Sequence, residues 1–107
     1  ARGLRSLGHL ASWSGRHADA AALFREAAIN ERLAGAALGE LRSRLLAIAA
    51  LDEVGDAAAR SAATAQRDTV RQLAVGPGGR EPRVLYWAGK ALARRGDVDG
   101  ATRLLAA

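Results

Sequence analysis

Leu4, Leu7, Gly8 and Ala11 fall at the three- and four-residue steps of one helix face, and beyond Gly15 the same rhythm resumes at Ala20, Phe24 and Ala27. This pattern predicts an amphipathic helix over about 2–14, a stop, and a second helix over about 17–34, with Leu33 also turned inward. Gly8 and Ala20 are small where two such helices would cross, so the backbones can approach closely and Phe24 can fill the space towards the next hairpin. A second hairpin follows over about 36–54 and 56–74. Its inward positions are Leu38, Leu41, Leu45, Ile48 and Leu51 on one helix and Ala59, Ala62, Ala63, Val70 and Leu73 on the other. Gly55-Asp56 and Gly96-Asp97 each join a residue suited to a left-handed helix stop to a residue suited to an N-cap, as expected in a tight turn between antiparallel helices. Gly15, Gly55 and Gly96 recur at intervals near 40 residues. Between Val75 and Pro82 the chain reads Gly-Pro-Gly-Gly-Arg-Glu, a connector, and Pro82 is placed to open a third hairpin over about 82–106. The expected fold class is all-α, one domain of three antiparallel helical hairpins.

The first hairpin returns in the third at a constant offset of 81. Leu4, Leu7, Gly8, Ala11, Gly15, Ala20 and Phe24 reappear as Leu85, Ala88, Gly89, Leu92, Gly96, Ala101 and Leu105. An internal repeat points to stacked hairpins that work through their surface. The residues Leu7-Gly8, Ala11, Gly15, Ala20, Phe24 and Ala27 resemble a tetratricopeptide repeat, and Leu85, Ala88-Gly89, Leu92, Gly96, Ala101 and Leu105 resemble another. The middle hairpin follows the pattern more loosely, through Leu46-Ala47, Ala50, Gly55 and Ala59. The resemblance implies an α-α superhelix, a solenoid of the extended type with repeats near 40 residues found in large bacterial regulators and signalling proteins. It also implies a protein-interaction role. Because Leu104-Leu105-Ala106-Ala107 is followed by no polar capping helix to cover its apolar edge, the chain is expected to be part of a longer array and to self-associate through this hairpin when isolated.

Composition narrows the chemistry. Half of the 107 residues are apolar, but aromatics are only 4% and Met is absent, so the core must be built from Ala and Leu on closely packed helices. There is no cysteine, which removes disulfides and thiolate ligands and suits a reducing compartment; a cytoplasmic location is expected. No apolar run is long enough to span a membrane. His9 and His17 have no carboxylate partner at metal-ligand spacing, and the acids Asp52, Glu53, Asp97 and Asp99 sit at helix ends, where dipole or capping interactions explain them. There is no nucleophile elbow, zinc-protease signature or dinucleotide fingerprint, so neither catalysis nor a cofactor is expected.

The net charge of +5 comes from fifteen Arg and one Lys against eleven acids. Such a balance is expected either of a protein with a nucleic-acid or acidic-peptide partner or of the Ala-, Arg- and Gly-rich composition that a GC-rich genome produces, and its distribution along the chain is uneven. The first helix carries Arg2 and Arg5 with no acid, and the fifth, over about 82–95, carries Arg83, Lys90, Arg94 and Arg95; the rest of the chain sums to −1. The tetratricopeptide resemblance places these helices along a concave groove. It selects Arg2, Arg5, His9, Ser12 and Trp13 in the first repeat and Arg83, Tyr86, Lys90 and Arg94 in the last, with Arg42 and Arg44 available from the middle. A basic groove with Trp, Tyr and His suits an extended acidic peptide or a C-terminal carboxylate. Similar carboxylate clamps in this family use Asn where His9 and Ser12 stand here, so chaperone binding does not carry over. The alternatives are a sensor or oligomerisation segment of a larger regulator and, with no recognition element to support it, nonspecific nucleic-acid binding.

Overall fold

The computed structural model describes the backbone of residues 2–75 and the side chains of residues 3–73. This part is all-helical, with α1 (Arg2–Trp13), α2 (His17–Leu33), α3 (Ala37–Val54) and α4 (Ala57–Val75). Each helix packs against the next in sequence. The expected third hairpin, over about 82–106, lies outside the described residues.

Local chemistry sets the breaks. Gly15 and Gly35 adopt φ of 77° and 73°, a left-handed conformation that costs a Cβ-bearing residue energy. At the first, Gly15 N–H donates to Ser12 O and Arg16 N–H donates to Ala11 O; at the second, Gly35 N–H donates to Arg32 O and Ala36 N–H donates to Glu31 O. These are paired Schellman closures, which satisfy carbonyls that the helix end leaves open. The Gly35 turn carries no acidic cap and was not foreseen as a break of this type. Gly55 ends α3 with φ of 74°, and Asp56 then accepts the Ala59 N–H at 2.7 Å through its side chain. Asp56→Ala is expected to cost about 1 kcal/mol in chemical denaturation, with Asp56→Ser or Asp56→Asn retaining most of the stability. A loss below a few tenths of a kcal/mol would show that the cap contributes nothing.

Alanine makes up most of the core. Ala11, Ala20, Ala21, Phe24, Ala47, Ala50, Leu51, Ala59 and Ala63 form one buried cluster, with Leu23, Leu46, Val54 and Ala62 packed against it. The only ring in it is Phe24, and Gly8 makes room for that ring: a Cβ at Gly8 would stand 2.5 Å from the Phe24 Cε1 atom. Phe24 therefore fills space within the first hairpin as well as facing the second.

The two described hairpins correspond at an offset of 39. Gly8, Ala11, Ala20, Phe24, Ala27 and Glu31 match Ala47, Ala50, Ala59, Ala63, Gln66 and Val70, and every member of both sets is buried. At these six positions the middle hairpin, whose pattern is the weakest in sequence, buries what the first buries; elsewhere the two differ, as where Ala21 is buried and Arg60 exposed.

Two inward assignments are corrected. Leu7 is 53% exposed and Leu33 is 83% exposed. Leu7 stands on the flank of α1 that neither α2 nor the second hairpin reaches. Leu33 closes the last turn of α2, beyond the segment that α1 covers.

Candidate functional site

The buried positions include charged groups, and these join the helices. Glu31, near the end of α2, is buried at 5% exposure among the Ala20, Phe24 and Ala27 positions that precede it at helical spacing. Its carboxylate accepts the Ser43 hydroxyl hydrogen bond from α3 and stands 3.8 Å from Arg5 Nη2 of α1. Gly39 permits this approach, since a Cβ there would collide with the Glu31 carboxylate. One turn along α3, Arg44 Nε donates to Glu40 Oε2 at 2.8 Å and Arg44 Nη1 donates to Gln66 Oε1 of α4 at 2.9 Å. All three of these side chains are buried. Burial of this kind is tolerated only with close partners, because an unpaired charge in an apolar interior costs several kcal/mol. Arg44 is therefore not available as a groove cation: it is consumed in holding α3 to α4.

Beside the Arg44–Gln66 hydrogen bond, an ion pair joins α3 to α4. Arg67 Nη2 lies 3.6 Å from Asp52 Oδ1, too long for a hydrogen bond, and the buried Arg67 Nε has no hydrogen-bond partner. Burial and, after it, the neighbouring Arg71 push the Arg67 pKa below the usual guanidinium range. Arg71 itself lies 2.6 Å from Asp68 on the exposed side of α4.

Three of the residues selected from the sequence lie along one stripe of α1. Arg5, His9 and Trp13 follow at four-residue steps, which align side chains on a helix. Arg5 is half-buried by its approach to Glu31, so it serves a structural contact as well as facing the stripe. The His9 ring meets Phe24 edge-on with centroids 5.2 Å apart, and Trp13 lies 6.1 Å from His9 at a tilted angle. A chain of rings thus runs from the core to an indole that is 79% exposed. Ser12 is half-buried and Arg42 exposed. Arg2 occupies the first turn of α1, but its side chain is outside the described set, as are Arg83, Tyr86, Lys90 and Arg94.

Comparison with protein-family models, curated proteins and solved structures finds no match. The surface is accordingly read from its own chemistry. Along α1 there is no acidic residue, so Arg5, His9 and Trp13 form a basic and aromatic strip. On the other flank of the same helix, Leu7 and Leu10 are about half exposed, and on the outer face of α2 so are Ile29 and, still more, Leu33. Every large exposed apolar residue among the described ones belongs to the first hairpin. The sequence missed the polar seam of Glu31, Ser43, Glu40, Arg44 and Gln66. Two signals were present: the four-residue spacing of Glu40 and Arg44, and the position of Glu31 at the next step after Phe24 and Ala27. Among the described residues no group of three or more His, Asp or Glu could hold a metal ion, and no helix is long and apolar enough to cross a membrane.

Proposed function

We propose that this chain is a tetratricopeptide-like solenoid and a non-catalytic interaction module, which holds an acidic segment of a protein partner along the Arg5–His9–Trp13 stripe of α1. The observation that carries this reading is the exposed Trp13, which is held by His9, itself set against Phe24. An indole presented in this way offers apolar contact area with little ordering cost on binding. Arg5 and His9, which precede it along the stripe, supply donors for carboxylates. The equivalence of buried positions at offset 39 supports the repeat architecture. The engagement of Glu31 and Glu40 in contacts between and within helices supports a non-catalytic role, since neither carboxylate is left to move protons in a cleft.

Fluorescence titration tests the reading. The chain has two tryptophans, so Trp87→Phe isolates the Trp13 signal. Addition of acidic peptides, with a free or an amidated C-terminus, is expected to shift Trp13 emission to the blue. Trp13→Ala is expected to weaken binding about tenfold, in line with loss of a central aromatic anchor. Raising salt from roughly 0.05 to 0.3 M should weaken it further through screening. An unchanged spectrum with every peptide, or equal affinity in Trp13→Ala, would overturn the assignment.

A further inference from the structure

The outer face of α2 departs from the repeat. At the offset of 39, Ala22, Ile29 and Leu33 correspond to Ser61, Asp68 and Gln72 of α4, and every one of these residues is exposed. In α4 the face is polar, as expected of a helix surface turned to water. In α2 it is apolar: with Ala18, the three residues form one line along the helix, with Ile29 at 53% and Leu33 at 83% exposure. The fold does not require this line, since the second hairpin fills the same places with polar groups. Its two borders carry opposite charge. At 3.6 residues per turn, Arg25 and Arg32 fall about 50–70° to one side of the line, and Asp19 and Glu26 fall about as far to the other. All four are exposed, and among the described residues none of them has an ion pair within the chain.

A helix face with an apolar centre, one basic border and one acidic border complements itself in one orientation only. Two such helices laid side by side and pointing the same way, about a two-fold axis parallel to them, bring the basic border of each against the acidic border of the other. Turned antiparallel, they set like charge against like. We propose that two copies of this chain pair through α2 in the parallel arrangement, Ile29 meeting Ile29 and Ala22 meeting Ala22 across the axis, with Glu26 of each copy level with Arg25 of the other. Ala18 and Ala22 let the helices approach closely, and Ile29 and Leu33 supply the apolar contact. The same patch serves on both copies, so the contact closes at two chains. One helix face is a small area, which puts the pair at the weak end of specific interfaces. The exposed charges set its orientation more than its strength. The Arg5–His9–Trp13 stripe belongs to α1 and takes no part in it.

Sedimentation velocity on the full chain, at concentrations from on the order of 10 μM to 1 mM for a weak interface, is expected to show a mass that rises towards the dimer. Ile29→Asp, which installs the residue found at the equivalent place in α4, should hold the chain monomeric. Circular dichroism verifies that it stays folded, as expected at an exposed site. Glu26→Arg and Arg25→Glu are each expected to weaken pairing about tenfold at low salt. An equal mixture of the two should regain most of the native strength, because positions 25 and 26 then face opposite charges again. The chain has no cysteine, so one introduced at position 22 reports the orientation. In the parallel pair Ala22→Cys should form a disulfide-linked dimer under mild oxidation, whereas an antiparallel pair centred on Ile29 would hold the two sulfurs about 20 Å apart. Ser61→Cys, at the equivalent place on α4, should not cross-link. No association at the highest concentration, association that Ile29→Asp leaves unchanged, failure of the mixed charge variants to pair, or Ser61→Cys cross-linking as readily as Ala22→Cys would each overturn the proposal.

Discussion

Replacing Arg44 by Met is expected to destabilise the protein by about 3–5 kcal/mol, the cost of removing one partner from a buried ion pair. Glu40 would be left in an apolar interior at 2% exposure, and Gln66 would lose the hydrogen bond that fixes it on α4. Domains of this size have only about 5–15 kcal/mol of stability, so much of the total would be lost. Urea denaturation followed by helical circular dichroism measures the change. The triple variant Glu40→Leu, Arg44→Met, Gln66→Leu is expected to recover most of the loss, because it removes all the groups whose desolvation the seam offsets. A cost below about 1 kcal/mol for Arg44→Met would mean that water reaches Glu40 and that the pair behaves as a surface bridge. The Asp68–Arg71 pair on the exposed side of α4 supplies the comparison, and its removal should change stability by no more than about 0.5 kcal/mol.

The second large effect is expected at Phe24. Truncation to Ala removes the one ring from an interior made mainly of Ala, and a core Phe→Ala change costs about 3–5 kcal/mol. Small neighbours cannot move far enough to fill the void, which places the expectation towards the upper part of that range. Gly8 tests the same contact from the other side. Gly8→Ala gains about 1 kcal/mol of helix propensity but forces a Cβ against the Phe24 ring, where overpacking costs about 1–3 kcal/mol. In a Phe24→Ala background the clash is gone, so Gly8→Leu should stabilise there and destabilise in the native background. Additive effects of the two changes would show that they do not meet.

The ends of the described helices were legible because their signals are local. A left-handed Gly and an Asp cap act within three or four residues, and the helices expected over about 2–14, 17–34, 36–54 and 56–74 were found within a residue at each end. Core positions at strict helical spacing, such as Ala20, Phe24, Leu41, Ile48, Ala63 and Val70, were legible for the same reason. Leu7 was not, because periodicity gives the apolar sector of a helix but not which edge of that sector a neighbour covers. The polar seam was hidden by a sound rule, that Glu and Arg are seldom fully buried. It holds less well where alanines leave the helices close together and a carboxylate can reach a hydroxyl and a guanidinium from two other helices. Of the candidate stripe, sequence identified Arg5, His9 and Trp13 but not that Arg5 also faces Glu31, which depends on the angle at which α2 ends beside α1.

An interface in which alanines outnumber larger side chains has few features that tell one alignment from another. If the second hairpin slid along α2 by one turn, many methyl groups would exchange for methyl groups, and Phe24 and Leu51 would be the main apolar groups to lose their places. Glu31 changes that: in the shifted arrangement its carboxylate would face alkyl groups in place of the Ser43 hydroxyl, and Gly39 would no longer lie where the carboxylate needs space. The penalty for stranding one charge, several kcal/mol, exceeds what a few methyl contacts distinguish. A single acidic side chain thus works as an indexing pin for the stack. A Glu31→Leu protein is expected to keep its helices while sampling more than one alignment, visible as doubled or broadened amide resonances from α3.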